Sequence, residues 1–403
     1  MAISPLDDRY KDKLIGLEEY FSEEALNRAR VWLEVKYAVA LVKFLGTVRL
    51  TRQEEKRLEA WAGNLHDQDF TRIKAMEKEI NHDVKAVEYF IRENLKQLKL
   101  EKLSVWIHWG LTSEDVNNLA YGRLLTGFKD KILTKLEADL IRKLIQMAGK
   151  YRGTVMPART HGQIAVPTTV GKELAVFASR ADWWLTKIKA VKLGGKLNGA
   201  VGNFYSQRKI YPQKNWFGFS EKFVKSLGLD WVKATTQVEP GDRLVNFLDL
   251  VRGLNNVWLG LARDAWLYIA LDYFKQKAVT KEVGSSTMPH KVNPIDFENC
   301  EGNLELANSL LVMMSSKLNI SRLQRDLSDS TVKRNFGVAF GHTVLALKSL
   351  IRGLGKIEPN IAYLQQEIIS HPEMGSELKQ LRLKINGDTQ AYEKIKRMTR
   401  GKK

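Results

Sequence analysis

Residues 284–299 read GSSTMPHKVNPIDFEN and set two hydroxyls (Ser285, Ser286), a lysine (Lys291), an asparagine (Asn293) and a carboxylate (Glu298) on one short stretch. Gly284 opens it, and Pro289 and Pro294 stiffen its end, so the stretch reads as a loop, with helical sequence resuming around Glu298. A loop offering a hydroxyl, exposed backbone N–H groups and a fixed cation suits proton abstraction beside a carboxylate. The hydroxyl serves as base, while the N–H groups and Lys291 hold the negative charge that develops. A serine hydroxyl needs strong local activation for that task, and nothing in the sequence names the activating group. For an isolated G-S-S, a connector between helices with serine N-caps is the better reading. Only the full G-S-S-x-M-P-x-K-x-N-P combination is specific.

Further candidates are spread along the chain. ARTHGQIAVPTTVGKE (158–173) places His161 in a non-helical stretch, and histidine exchanges protons near neutrality. KEINHDVKAVEYF (78–90) sets Asn81, His82 and Asp83 ahead of an amphipathic helix, where they also suit an N-cap with a neighbouring histidine. WGLTSEDVNNLA (109–120) offers Thr112 and Ser113 at a helix start, where free N–H groups favour a carboxylate, and where the same geometry serves as an ordinary cap. SPLDDRY (4–10) pairs Arg9 with Tyr10, and SRLQRDLSDSTVKRN (321–335) supplies Arg325, Ser330, Thr331 and Arg334. Arginine's planar fork suits phosphate, although arginine-rich helices also form solvated faces. Gln237 in TTQVEP fits either a substrate contact or a buried turn.

The stretch 284–294 resembles the signature of the fumarase/aspartase superfamily, whose members eliminate fumarate from succinyl-type substrates. R-T-H-G-Q with the following T-x-G-K-E resembles the second signature of that superfamily. SPLDDRY, N-H-D-V-K-A-V-E-Y and His290 in MPHK are similar to the adenylosuccinate lyase branch, in its longer bacterial type. Fumarase and aspartase share the G-S-S loop but lack the nucleotide-phosphate set. The matches run in family order from Ser4 to Arg334. After Ile369 the match is expected to weaken, and the chain ends at TRGKK where the family continues into further helices, which leaves the packing of the last domain open.

The resemblance implies a C–N lyase without metal or cofactor. Ser285 removes the Cβ proton of the succinyl group, Lys291, Asn293 and loop N–H groups stabilise the carbanion, and His161 protonates the leaving nitrogen. Glu298 orients and charges the His161 imidazole. The implied substrates are adenylosuccinate, giving AMP, and the succinyl-carboxamide ribotide of an earlier purine step. The implied contacts are Arg9, Tyr10, Asn81, His82, Asp83, Thr112, Ser113, Gln237, Ser286, Val292, Asn293, Asn299, Arg325, Ser330, Thr331, Val332, Lys333 and Arg334. A homotetramer follows too, each site combining three chains, with His161, His82 and the Ser285 loop from different subunits. Two rivals remain: a sister lyase such as argininosuccinate lyase or a cycloisomerase, and a catalytically silent basic binding protein on the same scaffold.

The elements that must position these residues are helices. No proline falls between Asp7 and Met156. Leu26, Ala29, Leu33, Tyr37, Leu41 and Phe44 form one apolar stripe, started by Ser22 and stopped by Gly46. A longer stripe runs through Leu124, Phe128, Ile132, Leu136, Leu140 and Leu144. Helical from about Asp115 to Lys150, that segment spans roughly 50 Å. Similar stretches cover 171–193, 242–275, 296–317 and 330–353, while alternating β-branched runs are scarce. The fold is all-α, with a central bundle of very long helices. Composition suggests a helical domain over 1–101, the bundle over 102–353 and a short C-terminal unit over 354–403.

The net charge of +18 over 403 residues points to anionic partners. The basic residues are spread out apart from the end KIKRMTRGKK, no nucleic-acid-binding motif accompanies them, and they read mostly as solvated surface. One cysteine, Cys300, excludes an intrachain disulfide and fits a reducing cytoplasm. Neither a secretory h-region nor an uninterrupted membrane-length apolar run is present. The seven histidines show no paired metal-ligand spacing such as H-E-x-x-H.

Overall fold

The computed structural model describes residues 3–278 and 287–401, and within them apolar spacing decides where helices form. After α1 (Glu18–Phe21), α2 (Glu23–Leu45) follows the first stripe. Ser22 caps it by accepting from the Ala25 N–H at 3.0 Å, and Gly46 ends it at φ 76°, where glycine bears no Cβ penalty. Then come α3 (Arg52–Gly63), α4 (Asp67–Ile80) and α5 (Asp83–Gln97). Val35, Val39 and Val42 of α2 pack there against Leu58, Phe70, Ile73, Phe90 and Ile91 in one buried core.

The long helix expected near 115–150 is present as α6 (Ser113–Phe128), a π-helical turn (Lys129–Leu133) and α7 (Thr134–Lys150). The π turn carries buried Lys129, whose ammonium donates to the Val191 carbonyl at 2.9 Å. A hairpin of β1 (Val155–Thr160) and β2 (Gln163–Thr169) leads into α8 (Val170–Ala190). Then follow β3 (Gly194–Gly195), α9 (Tyr205–Ile210), α10 (Trp216–Ser226) and β4 (Asp230–Trp231), with β3 and β4 paired in parallel.

α11 (Asp242–Ala270) stops short of the expected 275 because Asp272 turns to φ 58° and β5 (Phe274–Gln276) leaves to pair antiparallel with a later strand. α12 (Ile295–Lys317), α13 (Ser328–Lys333) and α14 (Phe336–Lys356) precede that partner, β6 (Ile357–Pro359). α15 (Ile361–Ser370), α16 (Ser376–Ile385) and α17 (Ala391–Thr399) complete an all-α fold whose strands are short two-stranded pairs.

Two compact units divide the chain. The first combines Met1–Lys135, Thr186–Gly253 and Leu306–Val344, and the second Leu136–Leu185, Leu254–Glu305 and Leu345–Lys403. Among the described residues no helix is long and apolar enough to cross a membrane.

Candidate active site

The first unit gathers Asn81, His82, Asp83, Thr112, Ser113, Gln237, Arg325, Ser330 and Arg334 around one cavity of about 630 Å³. Local sequence explains most of these placements. Asn81 closes α4 in the left-handed region at φ 53°, a conformation asparagine tolerates. His82 is the N-cap of α5, and its Nδ1 accepts the Lys85 N–H at 3.2 Å. Nδ1 is therefore unprotonated in this geometry, and Nε2 carries the proton as a donor on a half-exposed ring.

Asp83 joins two arginines. Its Oδ2 lies 2.7 Å from Arg30 and 3.3 Å from Arg334, and its Oδ1 accepts the Val84 N–H. Burial alone would raise its pKa, but Arg30, the Val84 N–H and Arg334 outweigh burial and hold the carboxyl below its usual value. Arg30 is itself buried and also donates to Asn27 and Asn117. Arg334 donates to the Ser330 hydroxyl at 2.7 Å as well, so this arginine reaches the cavity already oriented.

The N-terminus of α6 is fixed from below. Asp115, fully buried, accepts from the N–H groups of Thr112, Asn198 and Gly199 at 2.9–3.1 Å and pairs with buried Lys196 at 2.9 Å. Lys196 donates in turn to the carbonyls of Gly199 and Gln237. One carboxylate thereby ties the helix start bearing Thr112 and Ser113 to the loop after β3 and to Gln237. Gly202 makes this close approach possible, since a Cβ there would lie 2.2 Å from the Thr235 carbonyl oxygen. The Gln237 side chain donates to the Ala200 carbonyl, so the turn role and the cavity position hold together.

Other expected contacts stand elsewhere. Arg9 is exposed, lies 5.8 Å from the Tyr10 ring, and neither residue lines the cavity. Thr331 and Val332 lend backbone carbonyls to Asn335. Lys333 does not line the cavity and pairs with Glu114 and Asp329, at 3.3 and 2.8 Å. Burial opposes its charge, but those two carboxylates prevail and hold the ammonium pKa above the usual lysine value.

The second unit carries the proton-transfer candidates. His161 and Gly162 are the two central residues of the β1–β2 turn, with φ 54° and 75° between the paired Thr160 and Gln163. Two positive φ values make this a type I′ turn, which sets an exposed imidazole at the hairpin tip. No hydrogen bond or ion pair among the described residues engages the His161 ring. Glu298, in the first turn of α12, accepts instead from the Trp266 indole at 3.1 Å. Lys291 is exposed, Val292 accepts at its carbonyl from Gln276, and Asn299 accepts at its carbonyl from Asn303. Asn293 is partly buried beside Pro294. Ser285 and Ser286 lie outside the described residues.

Arg30, Glu114, Asp115 and Lys196 were not anticipated as site residues. For Arg30 a signal existed, because it falls within the stripe of Leu26, Leu33 and Tyr37, where a charge must find a buried partner. Lys196 pairs with a residue far away in sequence and gave no local sign.

The Lyase family model matches residues 8–306, and the Adenylosuccinate lyase C-terminal model matches residues 321–403. The second match extends past Ile369 to residue 403. The chain is 43% identical to adenylosuccinate lyase of Haemophilus influenzae over 409 residues, covering 100% of this chain and 89% of that protein. It is 42% identical to adenylosuccinate lyase of Escherichia coli K12 (100% and 89%) and 44% identical to that of Dictyostelium discoideum (99% and 88%). Among solved structures, the fold matches β-carboxy-cis,cis-muconate cycloisomerase from Acinetobacter calcoaceticus with a TM-score of 0.74 at 21% identity. It matches a fumarate lyase from Mesorhizobium with 0.76 at 16%, and each alignment covers 94% of this chain and 84% of the other. At such identities the structural likeness shows the fold alone. Identity over the full chain decides the rest: the chain belongs to the adenylosuccinate lyase family of the fumarase/aspartase superfamily.

Proposed function

We propose that this chain splits adenylosuccinate into AMP and fumarate, and the succinyl-aminoimidazole-carboxamide ribotide into the aminoimidazole-carboxamide ribotide and fumarate. The observation that carries this is the cavity of the first unit. It holds two arginines and a serine on one wall and a helix N-terminus on another, in a volume suited to a nucleotide-sized ligand. Arg325, Arg334 and Ser330, with Arg9 and Tyr10, take the 5′-phosphate. The free N–H groups at the start of α6, with Thr112, Ser113 and Gln237, take a succinyl carboxylate. Asn81 and Asp83 complete the surroundings within the first unit, Ser286, Val292 and Asn299 join from another subunit, and Thr331, Val332 and Lys333 support Ser330 and Arg334 from within α13.

Ser285 takes the Cβ proton, and the electron pair delocalises into the adjacent carboxylate, whose added charge Lys291 and Asn293 stabilise. The pair then forms the C=C bond of fumarate as the C–N bond breaks. His161, oriented by Glu298, delivers a proton to the leaving nitrogen, and the His82 Nε2–H donates to the substrate.

The chain acts as a homotetramer in the cytoplasm, with residues 102–353 as the shared helical core and 1–101 and 354–403 as outer domains. Two features of the second unit support shared sites: among the described residues the His161 ring has no partner on its hairpin tip, and the Glu298 carboxylate is turned to Trp266. An absorbance assay of adenylosuccinate cleavage by the purified chain, with argininosuccinate as control, tests the function. Turnover of adenylosuccinate alone is expected. No turnover, or a preference for argininosuccinate, would refute it.

A further inference from the structure

At the cavity wall, four charged side chains close a ring, two of which, Arg325 and Glu114, line the cavity themselves. Arg325 NH1 lies 3.1 Å from Glu114 Oε2, and Glu114 Oε1 lies 3.3 Å from Lys333 Nζ. Lys333 Nζ lies 2.8 Å from Asp329 Oδ2, and Asp329 Oδ1 lies 3.6 Å from Arg325 NH2. The members alternate in sign, so the ring is neutral overall. Residues 325, 329 and 333 recur every four residues from just before α13 to its last residue, and Arg325, Ser330 and Arg334 line the cavity. Glu114 is the only member from outside this segment, and it is 3% exposed.

We propose that Glu114 is a positioning residue for phosphate recognition, its buried carboxylate setting where Arg325 and α13 stand beside the cavity. This rests on the phosphate assignment made above for Arg325, Ser330 and Arg334. A buried carboxylate fixed between two cations holds both, because neither can leave without exposing an unpaired buried charge. Arginine loses much rotamer freedom on binding an anion, and Glu114 removes that freedom before the ligand arrives. A competing effect runs the other way, since Glu114 is also an anion near an incoming phosphate. With the carboxylate already shared between two cations, positioning outweighs repulsion.

Equilibrium binding of AMP and of adenosine to the full chain in its native assembly separates these effects. Wild type is expected to bind AMP well above adenosine. If it does not discriminate, the phosphate assignment itself fails and the proposal falls with it. For Glu114→Gln, AMP affinity is expected to fall about tenfold or more, the scale of one lost charge-assisted hydrogen bond, with adenosine affinity nearly unchanged. Glu114→Asp, which keeps the charge, should recover part of the loss. Asp329→Asn opens the ring from its other side, should repeat the AMP-selective loss, and carries the test if Glu114→Gln does not fold. Equal losses for AMP and adenosine would make Glu114 merely structural, and unchanged or tighter AMP binding would make it a competing anion. Either result, or failure of both neutral variants to fold, overturns the proposal.

Discussion

Glu137 in α7 gives the most quantitative prediction. Its side chain is fully buried, Oε2 accepts the Trp258 indole N–H at 2.6 Å, and Oε1 has no hydrogen-bond partner among the described residues. Burial without a cation pushes the carboxyl pKa from 4.5 up to about 8, with the indole hydrogen bond opposing only in part. Between those two values the folded chain holds a proton that the unfolded chain has released, so folding takes up a proton. Stability from this site is fully present below pH 4.5 and is lost as pH rises toward 8. The slope is roughly 1.4 kcal/mol per pH unit, so the loss between pH 5 and 8 is on the order of 4 kcal/mol.

Glu137→Gln replaces the protonated acid with a neutral group of the same shape and removes that dependence. Thermal or denaturant unfolding of both proteins between pH 5 and 9 should show the variant gaining on wild type up to about pH 8 and then running parallel. Any constant offset, from the extra amide hydrogens of glutamine, leaves the slope untouched. A difference independent of pH would mean that Glu137 is ionised in the native protein, with a cation beside it in the assembly.

Ser285→Ala and His161→Ala should each lower kcat by ~10²–10⁴ while folding normally, and steady-state rates above about a tenth of wild type would remove the assigned role. Arg325→Ala and Arg334→Ala should raise KM far more than they lower kcat. A dephosphorylated substrate should be turned over equally poorly by wild type and by Arg325→Ala, so a markedly worse variant would place Arg325 elsewhere. His82→Asn keeps the cap on α5 whereas His82→Ala costs about 1 kcal/mol of stability, yet both should lower kcat/KM. Thermal unfolding read beside kinetics distinguishes the capping role from the donor role. His161→Ala and Ser285→Ala chains, denatured and refolded together, should regain partial activity where sites draw on different subunits, and inactivity in well-mixed assemblies would exclude shared sites.

What the sequence could disclose depended on range. The stripe from Leu26 to Phe44 with Ser22 and Gly46 at its ends is a local pattern, and α2 forms between those two residues. The end of α11 was missed by a few residues because Asp272 and the pairing of Phe274 with Pro359 decide it, and that partner is remote in sequence. His161 read as non-helical, and H-G between two extended runs accounts for the two-residue turn. The cavity residues were legible as motifs, but their support was not. Asp115 carries no local sign of its role, since only the fold brings Lys196, Asn198 and Gly199 to it.

This division between motif and support bears on how the enzyme uses binding energy. The cavity of the first unit is assembled before any ligand arrives: Arg30 holds Asp83, Asp83 and Ser330 hold Arg334, and Lys196 with Asp115 holds the start of α6. Each tie spends entropy during folding rather than during binding. His161 stands on an exposed turn and Lys291 on an exposed loop. In the proposed reading, a nucleotide phosphate held by so rigid a cavity is bound alike in the ground and transition states, which places its contribution in KM rather than in kcat. Removing the phosphate from the substrate should therefore weaken binding while leaving chemistry on bound substrate largely intact, and a kcat that fell as far as KM rose would refute that division.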